Sequence, residues 1–346
     1  MLKTGVFFQA LNIVFEVSTN RKLHTGELTQ ELVRSYRDTL KKIPARRHKF
    51  SLTATFKEMI SSGEPSISSK TFKDTTSLVS QFLLWAENEG YVIEKNLNRI
   101  FKITTKKSKT NSLTRLNFND DQLIALFESD QYQKGLFKRS SEYWAPLIAL
   151  YSGARLGEIL QLLCEDIRQE NNVWVFDINE EDDKQTKTEK SNRLVPVHSI
   201  LLKLGFIKFV EYRKNTNSNL FPEEPRSTDG KFSNFSKRYA TYRRQCNVIK
   251  QTGTMLDFHS FRHTVRTKLA DRDIAESLID DICGHTTKTA SIGKKVYTHT
   301  QQVPLRKKTI EKILFPIDFS KLSKWDTNLF YRTMKIGAQT DNKIES

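Results

Sequence analysis

Cysteine is scarce. The 346-residue chain has three, Cys164, Cys246 and Cys283. They lie far apart, form no Cys-x-x-Cys pair and show no zinc-type Cys/His spacing, which excludes a disulfide framework and a structural zinc site. A sparse, odd set suits a reducing compartment, so a cytoplasmic location is expected. Glycine and proline are also few, 13 and 8, and the chain is neither collagen-like nor of low complexity. No apolar run is long enough to span a bilayer. The start, Met1-Leu2-Lys3-Thr4-Gly5-Val6-Phe7-Phe8, is a poor secretory leader. Gln9, Asn12 and Glu16 interrupt the apolar run and no convincing small-residue cleavage site follows. There is no Walker-type loop, GxGxxG, HExxH or GxSxG. Asp182-Asp183 and Asp280-Asp281 are adjacent pairs whose side chains diverge, so no two-metal site is expected and both are read as solvated or helix-surface charges.

Acid is in deficit too. Lys and Arg number 56 against 40 Asp and Glu, a formal charge of +16. That surplus suits a polyanion partner. It is uneven: in the first 115 residues basic side chains outnumber acidic ones two to one, and the remainder is closer to balance. The smaller N-terminal part is therefore expected to grip the polyanion. What the chain has in quantity is aromatic residues, with 22 Phe, 10 Tyr and 4 Trp. They supply core for two domains, which the length requires.

Helical periodicity marks Leu28 to Leu40, Ser51 to Ser61 and Ser66 to Glu89, the last with Val79, Phe82, Leu83 and Ala86 on one face, Trp85 at its edge and Gly90 as a stop. Between the first two lies a basic stretch, Lys41 to Lys49, broken by Pro44 and read as a loop. Lys41, Lys42, Arg46 and Arg47 there are candidate phosphate contacts. Residues 102–116 contain no acid and little that could form a core. They read as an exposed basic linker, with Lys106, Lys107 and Lys109 as further candidates. The expected division is 1–101, a helical domain; 102–116, the linker; 117–304, a second domain; and 305–346, a C-terminal helix and tail, of which the part from Phe315 is read as an appendage rather than core. In the second domain Asn119-Asp120-Asp121 caps a helix. Tyr143 to Tyr151 and Leu156 to Leu163 are helices. Val173 to Ile178 and Arg193 to Val197 form a hairpin around a polar segment. Ile200 to Arg213, Asn234 to Cys246, Arg262 to Ala270, Ala275 to Cys283 and Leu305 to Ile313 are helices. The fold class is mainly α with a small antiparallel sheet.

Four pieces of the second domain stand out in order. They are Ser152-Gly153-Ala154-Arg155-Leu156-Gly157-Glu158; Thr186-Lys187-Thr188 with Arg193-Leu194-Val195-Pro196; His259-Ser260-Phe261-Arg262; and Cys283-Gly284-His285 followed by Tyr297-Thr298-His299. This order of Arg, Lys, His-x-x-Arg, Gly-His and Tyr-x-His resembles the tyrosine recombinase (phage integrase) family over roughly residues 117–300, with a looser match before them.

The resemblance implies a helical core-binding domain and a catalytic domain that form a C-shaped clamp on double-stranded DNA. It implies that Arg155 and Arg262 hold the non-bridging oxygens of the scissile phosphate, as paired guanidinium forks suit. Tyr297 is the implied nucleophile. Its phenol, with an ordinary pKa of about 10, needs a proton acceptor, and His259 is the matching base. Lys187 is the implied acid for the departing 5′ oxygen, with Lys184 and Lys190 as alternatives because the hairpin register is open. His285 would contact the phosphate or orient Tyr297, and Glu158 would orient the cationic groups. His263 and His299 are assigned structural roles.

The implied product is a 3′-phosphotyrosine that conserves the bond energy, so no metal, ATP or other cofactor is expected. The implied setting is a mobile element such as a phage or transposon, in a prokaryotic or phage context near the nucleoid. The implied partners are specific recombination sites, a homo-tetramer in the synaptic complex, and accessory or directionality factors. Residues 305–346 are a candidate for exchange between protomers. The extra N-terminal DNA-binding domain of many phage-type relatives is not visible. Two other readings stay open: a type IB topoisomerase, and a non-catalytic DNA-binding protein of the same fold.

Overall fold

The computed structural model describes residues 27–46, 56–92, 94–101, 114–180, 184, 192–227, 230–251, 254–284 and 302–324. The chain divides into two compact units, Met1–Ser112 and Leu113–Ser346.

In the first unit, helix α1 (Gln30–Lys42) begins where the Thr29 side chain accepts from the Leu32 amide. Val33, Tyr36 and Leu40 recur at helical spacing and are buried. They share a core with Phe72, Val79, Leu83 and Ala86 of α3 (Ser69–Asn88) and with Leu97 and Phe101. A short helix, α2 (Phe56–Ser61), lies between. The expected basic loop starts later than its sequence suggests. Lys41 and Lys42 form the last turn of α1, where the exposed carbonyls of the helix end favour cations. Lys41 pairs with Asp38 at 3.1 Å.

The second unit is built on α6 (Ser140–Ser152), in which every residue but Glu142 is buried. It starts three residues before the sequence suggests because its cap comes from elsewhere. Glu223 accepts from the Ser141 amide at 2.9 Å and from the Ser140 hydroxyl at 2.6 Å, satisfying donors a helix start leaves free. Trp144 packs on Phe206 and Phe209. Before α6 come β1 (Thr114–Arg115), α4 (Asp120–Phe127), with Asn119 and Gln122 in a reciprocal cap, and α5 (Asp130–Lys134). Thr114 and Arg115, which the sequence assigns to the linker, pair in parallel with β5 (Thr254–Met255). After α6 come the short α7 (Leu156–Leu160) and an antiparallel sheet ordered β2-β3-β4: Ile167–Glu170, Val173–Ile178 and Arg193–Pro196. Strand β2 was not expected. Its two-residue turn, Asn171-Asn172, has both φ positive, 50° and 59°, the conformation that tight hairpins need and Asn tolerates.

The single helix expected over 200–213 is two, α8 (Ser199–Lys203) and α9 (Phe206–Lys214), broken at Gly205 with φ 89°. Next come α10 (Ser233–Gln245), α11 (Ser260–Ala270), which packs on α6, and α12 (Glu276–Cys283). Helix α13 (Val303–Ile310) follows and packs on β4. Ile310, Ile313, Ile317 and Leu322 lie in the main core, so the helix packs on its own unit and the first part of the expected appendage, up to Leu322, belongs to that core as well. Asp280, expected on a helix surface, is 5% exposed and pairs with Arg266 at 2.5 Å.

His198 precedes α8, accepts from the Ile200 amide through Nδ1 and stacks on Tyr151. Burial holds its imidazole down to about 4. The folded state therefore refuses a proton that the unfolded chain takes below about 6.5. Stability is expected to fall as pH drops from about 6.5 towards 4, by about 3 kcal/mol from this residue. His198→Asn keeps a capping oxygen but cannot titrate. Urea midpoints at pH 7 and pH 4 should show a smaller acid loss in the variant, and equal losses would refute the assignment.

Candidate active site

The site gathers where α6 ends, α11 begins and α12 ends. Helix α6 terminates at Gly153, with φ 63°. A Cβ there would lie 2.8 Å from Cys283 Sγ, so only glycine lets this turn lie against the end of α12. The next turn places Arg155 at the cap of α7 and Glu158 in its first turn. Glu158 Oε1 accepts from Arg155 Nη1 at 2.5 Å, and Oε2 accepts from the Arg155 amide at 2.9 Å. Arg155 Nη2 donates to the Gly284 carbonyl at 3.0 Å. Glu158 is 3% exposed. Burial would raise its carboxyl, but the charges and hydrogen bonds of Arg193 and Arg155 win and bring it down to about 2.

Arg193, the first residue of β4, was missed by sequence reasoning. Its Nη2 donates to Glu158 Oε2 at 2.8 Å and its Nε to the Ile282 carbonyl at 2.8 Å. Arg262 is 1% exposed. Its Nη1 donates to the carbonyls of Gly153 and Cys283. Its Nε and Nη2 are buried and have no hydrogen-bond partner among the described residues. Burial, with repulsion from Arg155 and Arg193, brings this guanidinium down to about 10. Two desolvated donors without an acceptor are costly in isolation and suit an anion that supplies the missing oxygens.

His259 stands immediately before α11, three residues ahead of Arg262, and its side chain makes no capping hydrogen bond. Its ring meets that of His263 edge-on, with centroids 5.4 Å apart. It lines a cavity of about 250 Å³ with Leu156, Arg243 and Asp257. Burial, then the charges of Arg115, Arg262 and His263, holds the imidazole down to about 4. It is therefore neutral at physiological pH and able to accept a proton. Arg115, from β1, reaches this place paired with Asp257 at 3.0 Å.

Of the three hairpin lysines, the structure describes Lys184. Its Nζ lies 2.7 and 3.0 Å from the two oxygens of Asp166, and both side chains are buried. Lys184 is thus committed to a buried ion pair in this structure. Lys184→Met is expected to lower stability by about 3 kcal/mol, because it leaves the buried Asp166 carboxylate without its cation. Thermal melts check this; an unchanged melting temperature would show that the pair contributes nothing. Lys187, Lys190, His285, Tyr297 and His299 lie outside the described residues, as do Arg47, Lys106, Lys107 and Lys109. Lys42 and Arg46 are exposed. The structure thus brings together Arg155, Glu158, His259 and Arg262 and adds Arg193. Among the described residues no group of three or more His, Cys, Asp or Glu is placed to hold a metal ion, and no helix is long and apolar enough to cross a membrane.

Residues 118–303, just over half the chain, match the model of the phage integrase family. A tyrosine recombinase XerC-like protein of Caldanaerobacter subterraneus subsp. tengcongensis is 26% identical over 67% of this chain and 63% of its own length. Tyrosine recombinase XerA of Pyrococcus horikoshii is 27% identical over 49% of this chain and 55% of its own. The chain therefore spans less than two thirds of either relative. The Tn1549 transposon integrase in complex with a circular intermediate DNA has a similar fold: TM-score 0.54 at 14% identity, covering 82% of this chain and 86% of that one.

Proposed function

Because the chain belongs to the phage integrase family, we propose that it is a site-specific DNA recombinase, the strand transferase of a mobile element. The observation that carries this is the buried Arg262, two of whose donors meet no acceptor among the described residues, set beside Arg155 and a neutral His259. A scissile phosphate would supply acceptors to those donors. Charge that grows on its non-bridging oxygens during attack meets guanidiniums already fixed in place, so little reorganisation is needed. His259 takes the phenolic proton of Tyr297, and the phenolate oxygen attacks phosphorus. The DNA 3′ end becomes joined to Tyr297. The 5′ oxygen leaves with a proton from Lys187, and a 5′-hydroxyl of another strand later reverses the step. His285 assists at the phosphate. Lys42, Arg46 and the linker lysines hold the duplex backbone, so affinity should fall steeply with salt.

The active assembly in this reading is a tetramer on two paired sites. Exchange of a C-terminal segment falls to residues beyond 324, since those up to Leu322 are committed to their own core.

The test is covalent trapping on the ends of the encoding element, with a nick beside the cleavage point so that the 5′-hydroxyl fragment diffuses away. A denaturing gel should show protein joined to the 3′ end of the cleaved strand, without ATP and in the presence of a chelator. Specific binding with no covalent band would make the protein a non-catalytic binder. Relaxation of any supercoiled plasmid without site preference would make it a topoisomerase.

A further inference from the structure

Strand β4 does more than close the hairpin. Arg193 at its start is 4% exposed, and its guanidinium reaches two separate pieces of the site. It holds Glu158, which in turn holds Arg155. It also holds the Ile282 carbonyl in the last turn of α12. It fills the space over Gly284, where a Cβ would lie 2.5 Å from Nη1. Arg155 returns to the Gly284 carbonyl, so Arg155, Glu158, Arg193 and the end of α12 form a closed ring. The same strand receives the chain again at α13. Arg306 Nη1 donates to the Leu194 carbonyl at 3.0 Å and Lys307 Nζ to the Val197 carbonyl at 2.7 Å. Val303 packs with Leu194 and Val175. The described residues on both sides of 285–301, the stretch containing His285 and Tyr297, are thus anchored on β4.

We propose that Arg193 is a positioning residue for strand cleavage: it acts through Glu158 to fix the Arg155 guanidinium, and through the Ile282 carbonyl to fix the end of α12 on which Arg155 also rests. This rests on the recombinase reading above. Arginine is required because its rigid fork serves a carboxylate and a carbonyl at once, whereas lysine is a point charge on a flexible stem.

The test uses the full chain and nicked substrates with either the natural scissile phosphate or a methylphosphonate, in which methyl replaces one charged non-bridging oxygen. Arg193→Gln, Arg193→Lys and Arg155→Ala are compared for melting temperature, DNA affinity and single-turnover cleavage. With Arg155 misplaced, Arg193→Gln should cleave the phosphate about a hundredfold more slowly while DNA affinity changes less than about threefold. On the methylphosphonate its deficit should shrink to less than about tenfold, as for Arg155→Ala, because the lost charge no longer needs neutralising. Arg193→Lys should show the same pattern more mildly, and it carries the test if the Gln variant does not fold. Equal deficits on both substrates would mean a merely structural role and overturn the inference. Wild-type protein that binds both substrates but cleaves neither would instead overturn the recombinase reading, and this inference with it.

Discussion

Tyr297→Phe is expected to abolish the covalent protein–DNA product, a loss of more than about 10⁴-fold, because no other group inherits the nucleophile's role. DNA affinity should be unchanged, since one phenolic hydroxyl is a small part of a binding surface dominated by phosphate contacts. Five of the described tyrosines are poor substitutes because of where they sit, whereas Tyr91, in the first unit, is exposed. Tyr132, Tyr143, Tyr151, Tyr239 and Tyr242 are all buried, and burial pushes each phenol above its ordinary value. Their hydroxyls also serve the core: Tyr132 donates to the Tyr143 carbonyl and Tyr143 to the Ser323 carbonyl. The measurement is the trapping gel run with wild type and variant side by side. A covalent band that survives the substitution would place the nucleophile elsewhere in the chain.

Arg262→Met should separate stability from activity. Removing a transition-state donor of this kind slows the chemical step by about 10³-fold, and single-turnover cleavage should show it. Melting temperature should be unchanged or raised. The guanidinium is buried and two of its donors have no partner among the described residues, an arrangement that carries a desolvation penalty in the absence of DNA. Methionine removes that penalty and keeps most of the volume, although the carbonyls of Gly153 and Cys283 lose a donor. A variant that melts far below wild type would show that Arg262 is chiefly a structural tie. A variant that cleaves normally would remove it from the site. DNA affinity should fall only slightly in either case, as one phosphate contact among many.

Particular residues show where sequence reading succeeded and where it stopped. Arg155, His259 and Arg262 were legible because each sits at a helix start in a short motif whose order is informative. Glu158 was legible but undervalued. A Glu in a first helical turn has a local explanation in capping, and only its second partner, Arg193, 35 residues on, makes it the buried centre of the cluster. Arg193 itself stands before Leu194-Val195-Pro196, a run in which every residue is buried. A charge in such a place demands a partner, and that was the available signal. Strand β2 had one too, in Asn171-Asn172, but its own residues, Ile167-Arg168-Gln169-Glu170, are too polar to announce a strand. The break in the helix at Gly205 was visible as a glycine, yet an isolated glycine does not by itself stop a helix.

The lysine assignment shows the same division most sharply. Lys187 was chosen with Lys184 and Lys190 as alternatives, and only the fold shows that Asp166, 18 residues before Lys184, holds it in a buried ion pair.

The sequence by itself determined the basic charge, the helical class, the order of the chemical groups and the family they resemble. Each of these depends on residue type and near neighbours along the chain. Only the tertiary structure decided which charges are neutralised, which imidazoles burial holds neutral and which guanidinium is buried with donors that no described residue satisfies. Those depend on desolvation and on partners dozens of residues away, which short-range pattern does not encode.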